Sequence, residues 1–142
     1  MTPEQPPTAI VTCMDARLDA AGFLDLWPEA VHVARSAGGR VTADVLRSIA
    51  ASYALGTRRF LVIHHTDCAM AKHTDAEIRE RLPAGADPDV EFGTIADPIE
   101  ALREDLLAIE RSSLLPADIE VAGLIYDLDA RVARPLPTTT AD

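Results

Sequence analysis

The chain has 142 residues, of which 48% are hydrophobic and 25% are charged, a composition typical of a globular domain. Its 13 Lys and Arg residues against 23 Asp and Glu residues give a formal net charge of −10, and only 4% of residues are aromatic. This balance argues against a nucleic-acid partner, because phosphate binding needs basic residues and base stacking needs aromatic ones. The two cysteines, Cys13 and Cys68, allow one disulfide or another use of the thiols.

The polar, proline-rich residues 1–7 lack the basic start and apolar centre of a signal peptide. The longest apolar runs, such as residues 60–63, are far shorter than the roughly 20 residues that span a bilayer. We therefore predict no membrane partner and a cytoplasmic location, where structural disulfides are rare. Residues 1–142 are expected to form one domain, with 1–7 and 136–142 as loose tails.

Short apolar runs alternate with helical patterns along the chain. Four runs rich in apolar and β-branched residues predict strands, at residues 8–12, 30–34, 59–64 and 119–126. Four segments between them predict helices, at residues 19–27, 42–56, 74–82 and 97–109. Asp19, Thr42 and Asp97 are the expected N-caps, since their side-chain oxygens accept hydrogen bonds from free backbone N–H groups. Pro28 and Gly56 are expected to end the first two helices.

This alternation predicts an α/β fold in which a mostly parallel central sheet is flanked by helices, in a Rossmann-like arrangement of three layers. Ligands of such sheets bind beyond the carboxyl ends of the strands, where the strand order reverses. The unusual polar residues of this chain follow the first three strands, at 13–17, 35–39 and 64–68. Because the first and third strands would be neighbours, Cys13, His65 and Cys68 are expected around one point.

Two thiols and one imidazole form a ligand set for Zn²⁺, which binds sulfur and nitrogen in a tetrahedral arrangement. His65 and Cys68 are three residues apart, so both can reach one ion from a single turn. Three protein ligands would leave a fourth position free, as in catalytic zinc sites. From these residues alone, two buried apolar thiols or a disulfide between Cys13 and Cys68 stay open as alternatives.

Asp15 and Arg17 follow Cys13 at alternate positions, where the side chains of an extended segment point the same way. Asp15 would then lie beside the fourth zinc position, held by Arg17 in a charge-assisted pair. There it can accept a proton from zinc-bound water, or it can ligate zinc itself. An ion pair at the surface is the alternative for these two residues.

The segment after the second strand contains two glycines next to a predicted helix start, where backbone N–H groups can approach an anion closely. A simple turn is the alternative. The candidate substrate-binding residues of this segment are Ser36, Ala37, Gly38 and Gly39. Arg35 and Asp67 flank the same region and are expected to support the site without contacting the metal.

Together these segments resemble the β-class carbonic anhydrases, and in particular the small bacterial members. That family carries a Cys-x-Asp-x-Arg motif, an Arg-(Asn/Ser)-Ala-Gly segment and a His-x-x-Cys motif. The corresponding segments here are Cys13-Met14-Asp15-Ala16-Arg17, Arg35-Ser36-Ala37-Gly38 and His65-Thr66-Asp67-Cys68. The likeness extends from about Ile10 to Asp127.

The resemblance implies zinc held by Cys13, His65 and Cys68, with an Asp15–Arg17 dyad beside it. It implies reversible hydration of CO₂ to bicarbonate and a proton by zinc-bound hydroxide, which Asp15 orients. In some members of the family the aspartate instead ligates zinc in a closed state. The resemblance also implies a homodimer or a higher homo-oligomer in which the partner subunit completes the cleft.

Two positions depart from the family pattern. Ala69 stands where a glycine usually follows the second zinc cysteine, which crowds the next turn without removing the metal. Residues 128–132 lack the glycine of a Thr-Gly turn that often leads into another short strand. The sequence therefore leaves this last strand, and part of the dimer edge, open.

Other functions fit some of the same residues. Relatives of this family hydrolyse COS or CS₂, and the zinc motifs do not separate that activity from CO₂ hydration. A noncatalytic zinc-binding protein is disfavoured by the intact Asp15–Arg17 dyad, and a Rossmann nucleotide binder by the lack of a GxGxxG motif after the first strand. Of the other histidines, His64 is expected to support a ligand residue or the fold, and His32 to be packed or hydrogen-bonded. His73 is expected to be an exposed bystander, with a proton shuttle at the cleft mouth as the alternative.

Overall fold

The structure is a computed structural model of the chain, and it describes residues 6–20 and 30–136. Its strands are β1 (Thr8–Cys13), β2 (Ala30–Ser36), β3 (Arg59–His65), β4 (Glu120–Asp127) and β5 (Val132–Pro135). Its α-helices are α1 (Arg17–Ala20), α2 (Ala43–Ala54), α3 (Asp75–Glu80) and α4 (Pro98–Glu110). A short 3₁₀ turn follows β2 at Ala37–Gly39. A second one lies beyond β3 at Ala69–Ala71, directly after Cys68.

The strands form one sheet in the order β2-β1-β3-β4-β5. The first four strands of this order are parallel, and β5 runs antiparallel to β4. The mostly parallel α/β fold predicted from the sequence is thereby confirmed. Because β1 and β3 are neighbours, with Thr12 in register with Ile63, the residues that follow both strands emerge side by side at one sheet edge.

Apolar side chains alternate between the two faces of the sheet, as expected for strands covered on both sides. Val11 of β1 belongs to a cluster with residues of α2 and α4, such as Ile49 and Leu102. Ile10 belongs to a second cluster that includes Leu18 of α1 and, at its margin, Ile78 of α3. The same second cluster contains both cysteines, so the thiols are enclosed by apolar packing.

The predicted helix starts agree with the structure at three of four places. The hydroxyl of Thr42 accepts a hydrogen bond from the Val45 N–H at the start of α2, Thr74 forms a capping box at α3, and Asp97 caps α4. The assignment of Asp19 as an N-cap is wrong, because α1 already begins at Arg17 and Asp19 lies within it. The rest of that predicted helix, and its end at Pro28, lie outside the described residues.

The last strand, left open by the sequence, is present as β5. Arg131 takes the left-handed conformation (φ 57°) that a glycine would otherwise supply, and its N–H donates to the carbonyl of Asp127. The Asp127 carboxylate also accepts hydrogen bonds from the N–H groups of Asp129 and Ala130. Hydrogen bonding by an aspartate thus shapes this turn without glycine. Of the described helices, none has the length and apolarity needed to cross a membrane.

Candidate metal centre

The three candidate ligands meet at the carboxyl edge of the sheet. Cys13 is the last residue of β1, His65 is the last residue of β3, and Cys68 follows after a two-residue turn. All three are buried, and their ligand atoms lie within 4.8 Å of one another. The two Sγ atoms are 4.0 Å apart. A tetrahedral ion with bonds of about 2.3 Å to sulfur would hold two sulfurs roughly 3.8 Å apart, so this spacing suits zinc.

The imidazole of His65 is oriented by its own turn. Its Nδ1 lies 2.7 Å from the carbonyl oxygen of Thr66, an acceptor, so Nδ1 carries the proton and Nε2 presents a lone pair. Nε2 is buried and has no hydrogen-bond partner among the described residues. A buried acceptor without a partner is costly, and coordination of a cation would satisfy it.

The two thiols share a hydrogen bond and have opposite tendencies to ionise. Hydrogen bonding to Cys68 lowers the pKa of Cys13 against the effect of burial, and the N–H groups of Asp15 and Gly38 lower it further. The same hydrogen bond and burial raise the pKa of Cys68. The two sulfurs can share one proton, and a divalent cation in place of that proton would allow both sulfurs to ionise.

Asp15 and Arg17 form the ion pair expected from their spacing. Arg17 Nε donates to both carboxylate oxygens of Asp15, at 3.1 and 3.2 Å, and Nη2 donates to Oδ2 at 2.6 Å. These bonds lower the pKa of Asp15 to about 2, so the carboxylate is charged at neutral pH. Asp15 Oδ2 lies 3.9 Å from the unpartnered Nε2 of His65, beside the cluster of thiols.

Asp67 also contacts Arg17. The Asp67 carboxylate lies 2.7 Å from Nη1, and the Asp67 carbonyl oxygen lies 2.9 Å from Nη2. Its other carboxylate oxygen pairs with Lys72. The hydrogen bonds from Arg17, followed by those from Lys72, lower the pKa of Asp67 to about 2. Asp67 therefore touches the dyad, and its supporting role at the site stays a prediction.

The glycine segment packs directly behind the cluster. Arg35 Nη1 donates to the carbonyl oxygens of Cys13 and Asp15, at 3.0 and 3.3 Å, and so supports the backbone of that motif. Gly38 and Gly39 are buried and have positive φ angles of 75° and 69°. A Cβ on Gly39 would lie 3.2 Å from the Cys13 backbone nitrogen, so glycine permits the close approach here.

The other two members of this segment have different surroundings. The Ser36 hydroxyl donates to the carbonyl oxygen of Arg40, at 2.9 Å. Ala37 is partly buried and packs against the cluster that contains the two thiols. Substrate binding by residues 36–39 stays a prediction.

A buried polar network beneath the site was not predicted. Asp105 of α4 accepts hydrogen bonds from Arg40 Nε (2.9 Å) and from the Val41 N–H (3.0 Å), and it lies 3.0 Å from His64 Nε2. Arg40 also pairs with Glu104. His64 therefore has the structural role expected of it. One feature of the sequence could have indicated this network: the helical apolar pattern of α4 places the acidic Asp105 among residues that face the sheet.

The remaining histidines lie apart from the cluster. His32 Nδ1 lies 2.7 Å from the Ser52 hydroxyl, which in turn donates to Thr57, so His32 is part of a structural chain between β2 and α2. His73 is half-buried just before α3 rather than fully exposed. Ala69, at the start of the 3₁₀ turn after Cys68, is accommodated with the ligand cluster intact.

Comparisons with known proteins agree with this geometry. A protein-family model described as "Carbonic anhydrase" matches residues 8–112. The chain is 37% identical over 123 residues to beta-carbonic anhydrase 1 of Mycobacterium tuberculosis, covering 84% of this chain and 76% of that protein. It is also similar to a crystal structure of carbonic anhydrase from Streptococcus mutans (TM-score 0.83, 42% identity, 96% of this chain and 88% of that one). A carbon disulfide hydrolase of an Acidianus species is 27% identical over 152 residues, covering 88% of this chain and 74% of that protein.

Proposed function

This chain belongs to the β-carbonic anhydrase family, and we propose that it is a zinc enzyme that reversibly hydrates CO₂ to bicarbonate and a proton. The observation that carries the proposal is the buried Nε2 of His65, which faces two thiols and has no hydrogen-bond partner among the described residues. Cys13, His65 and Cys68 would hold the ion. Bound zinc supplies a Lewis acid that lowers the pKa of water towards neutrality.

Asp15 is proposed to orient the attacking water. Its carboxylate stays charged because the Arg17 pair holds its pKa at about 2, so it acts as a hydrogen-bond acceptor throughout the neutral range. An acceptor that takes one hydrogen from water directs a lone pair of that water elsewhere, here towards CO₂. The 3.9 Å between Asp15 Oδ2 and His65 Nε2 supports this role, since it leaves the carboxylate beside the ligand cluster.

Residues Ser36 to Gly39 are proposed to contact the substrate or the bicarbonate product. Support comes from the two positive-φ glycines, which bring the backbone up to the Cys13 motif. Backbone N–H groups in such a turn suit an anionic oxygen. Arg35 is proposed to fix the position of this segment relative to the Cys13–Asp15 backbone, because it donates hydrogen bonds to two carbonyl oxygens there.

The chain is further proposed to act as a cytoplasmic homodimer or higher homo-oligomer. β2 is an edge strand of the described sheet, and its residues Val31 and Val33 are 49% and 39% exposed. Edge strands with unpaired backbone groups and apolar side chains are covered in stable proteins, often by another chain. A reducing compartment would keep both thiols available for the metal. Light scattering is expected to give at least twice the mass of one chain.

Stopped-flow CO₂ hydration combined with metal analysis tests the proposed activity. We expect about one zinc per chain and, for Asp15→Asn, a loss of kcat/KM of about 10- to 100-fold with zinc retained. Asp44→Asn is the matched control, because it removes an exposed carboxylate that forms an ion pair with Arg47 within α2. Full zinc occupancy with no hydration at pH 8.5 would contradict the proposal.

The same preparation separates the main alternatives. Several relatives are named carbon disulfide hydrolases, so release of H₂S from CS₂ or COS is measured beside CO₂ hydration. Faster turnover of CS₂ or COS than of CO₂ would assign the site to that substrate class. Zinc binding without turnover of any of the three would indicate a noncatalytic zinc protein.

A further inference from the structure

Arg17 links the two segments that carry the candidate ligands. One edge of its guanidinium, Nε and Nη2, binds the Asp15 carboxylate, two residues after Cys13. Nη1 donates to the Asp67 carboxylate and Nη2 also donates to the Asp67 carbonyl oxygen, within the turn between His65 and Cys68. The side chain of Arg17 is 51% exposed, so packing alone does not fix it, and these hydrogen bonds determine its position.

The backbone of Asp67 is shaped for this contact. Its φ of 57° lies in the left-handed region, which is uncommon outside glycine and which aspartate and asparagine adopt more readily than other residues. In this conformation the carboxylate and the carbonyl oxygen of one residue both reach the same guanidinium. Exposed ion pairs add little to stability, so the stability of the fold does not account for this arrangement.

The Asp15 carboxylate has little distance to travel before it could become a ligand. Its Oδ2 is 3.9 Å from His65 Nε2, and zinc accepts carboxylate oxygen at about 2.0–2.2 Å. Within residues 6–20 and 30–136, the hydrogen bonds that restrain this carboxylate come from the N–H and the guanidinium of Arg17. Whatever holds the guanidinium therefore also decides whether Asp15 accepts a hydrogen bond from water or occupies the fourth metal position.

We propose that Asp67 is a positioning residue that anchors Arg17 and thereby keeps Asp15 beside the metal site as a hydrogen-bond acceptor instead of a fourth ligand. This inference rests on the proposed zinc site. Asp67 acts through Arg17 and contacts neither the metal nor the substrate. Lys72, which pairs with the other carboxylate oxygen of Asp67, holds that carboxylate from its solvent side.

The test compares wild type, Asp67→Asn, Asp15→Asn and the double variant, each loaded with Co²⁺ in place of Zn²⁺. The visible spectrum of Co²⁺ reports its ligands without any need for turnover. In Asp67→Asn we expect a changed spectrum, because the released Asp15 binds the ion. The double variant is expected to match Asp15→Asn, since the carboxylate that would bind is absent.

Kinetics of the zinc-loaded proteins give a second readout. Asp67→Asn alone is expected to lower kcat about tenfold, and the double variant is expected to have the same kcat as Asp15→Asn.

Controls keep the result specific to Asp67. Both variants remove the Asp67 carboxylate at a residue with a left-handed backbone. Asparagine tolerates that conformation and glycine adopts it without a steric penalty, so at least one of Asp67→Asn and Asp67→Gly is expected to fold. Asp44→Asn loses an equal charge from a similar exposed pair and is expected to match wild type in spectrum and kcat.

Two results would overturn the inference. One is a wild-type cobalt spectrum together with wild-type kcat in both Asp67 variants. The other is a loss of kcat that adds fully to that of Asp15→Asn, because Asp67 would then act by another route. If wild type binds Co²⁺ but hydrates no CO₂, the proposed function fails while the spectra still decide the role of Asp67.

Discussion

Asp15 and Asp105 are both carboxylates bound by an arginine, and their surroundings give them different tasks. The side chain of Asp105 is 4% exposed and receives hydrogen bonds from the backbone and from Arg40, deep beneath the site. The side chain of Asp15 is 19% exposed and keeps one face towards the ligand cluster. Asp105 is therefore suited to holding secondary-structure elements together, whereas Asp15 is placed where a small molecule could contact it.

Replacing Asp105 by Ala should destabilise the fold strongly. The change leaves the Val41 N–H, Arg40 Nε and His64 Nε2 without their shared partner, and breaking such a buried pair costs on the order of 3 kcal/mol. Glu104→Ala is the matched control, because Glu104 binds the same arginine but is 61% exposed, and its loss should cost about 0.5 kcal/mol or less. Urea unfolding of both variants gives the two free energies. Equal, small losses would show that the buried network is not important for stability.

The candidate ligands were predictable from the sequence, whereas this network was not. Cys13 and His65 end neighbouring parallel strands and Cys68 follows the second of them, so their positions relative to the strands predict that they meet. Asp105 is 41 residues from His64 and reaches it from a helix that packs on the sheet. Such a contact depends on the packing angle of α4, which no local pattern encodes.

Among the elements, those with strong local signals were predicted well. Thr42 and Asp97 cap α2 and α4 as expected, because a cap depends only on neighbouring backbone groups. β5 was left open, since its turn uses Arg131 at a φ of 57° where a glycine was the expected signal. The Asp127 carboxylate accepts the hydrogen bonds that stabilise this turn. Aspartate side chains make many kinds of contact, so its presence alone does not predict a turn.

Replacing Arg131 by Gly should stabilise the turn before β5. A residue with a side chain pays a steric cost in the left-handed region that glycine does not, although glycine also gains entropy in the unfolded chain. The net effect should raise the free energy of unfolding by about 0.5–1 kcal/mol, measured by urea denaturation. Arg111→Gly is a useful comparison, because Arg111 caps α4 with a φ of −92° and gains nothing from glycine. A loss of stability in Arg131→Gly would mean that its side chain makes contacts that outweigh the strain.

At the scale of the whole molecule, most of the negative charge and the candidate metal site lie in different segments of the chain. Residues 74–111 contain eleven acidic and four basic residues, and so carry a net −7 of the total −10. The site instead has two arginines, Arg17 and Arg35, that support the backbone and the dyad. An overall charge that argues against a nucleic-acid partner therefore says little about the proposed bicarbonate product, whose binding would depend on these local groups.

Metal removal should weaken the whole fold, because an ion held by the three candidate ligands would join the end of β1 to the end of β3 and the turn that follows it. An ion that binds only the folded chain stabilises it by about 2.7 kcal/mol when free metal is 100 times its Kd. For a chain of this length that corresponds to roughly 10 °C in Tm, which scanning calorimetry can compare in zinc and in chelator. Cys68→Ala, which removes one ligand, should show a much smaller difference between the two conditions. The same Tm with zinc and with chelator in the wild-type protein would contradict a metal that links these strands.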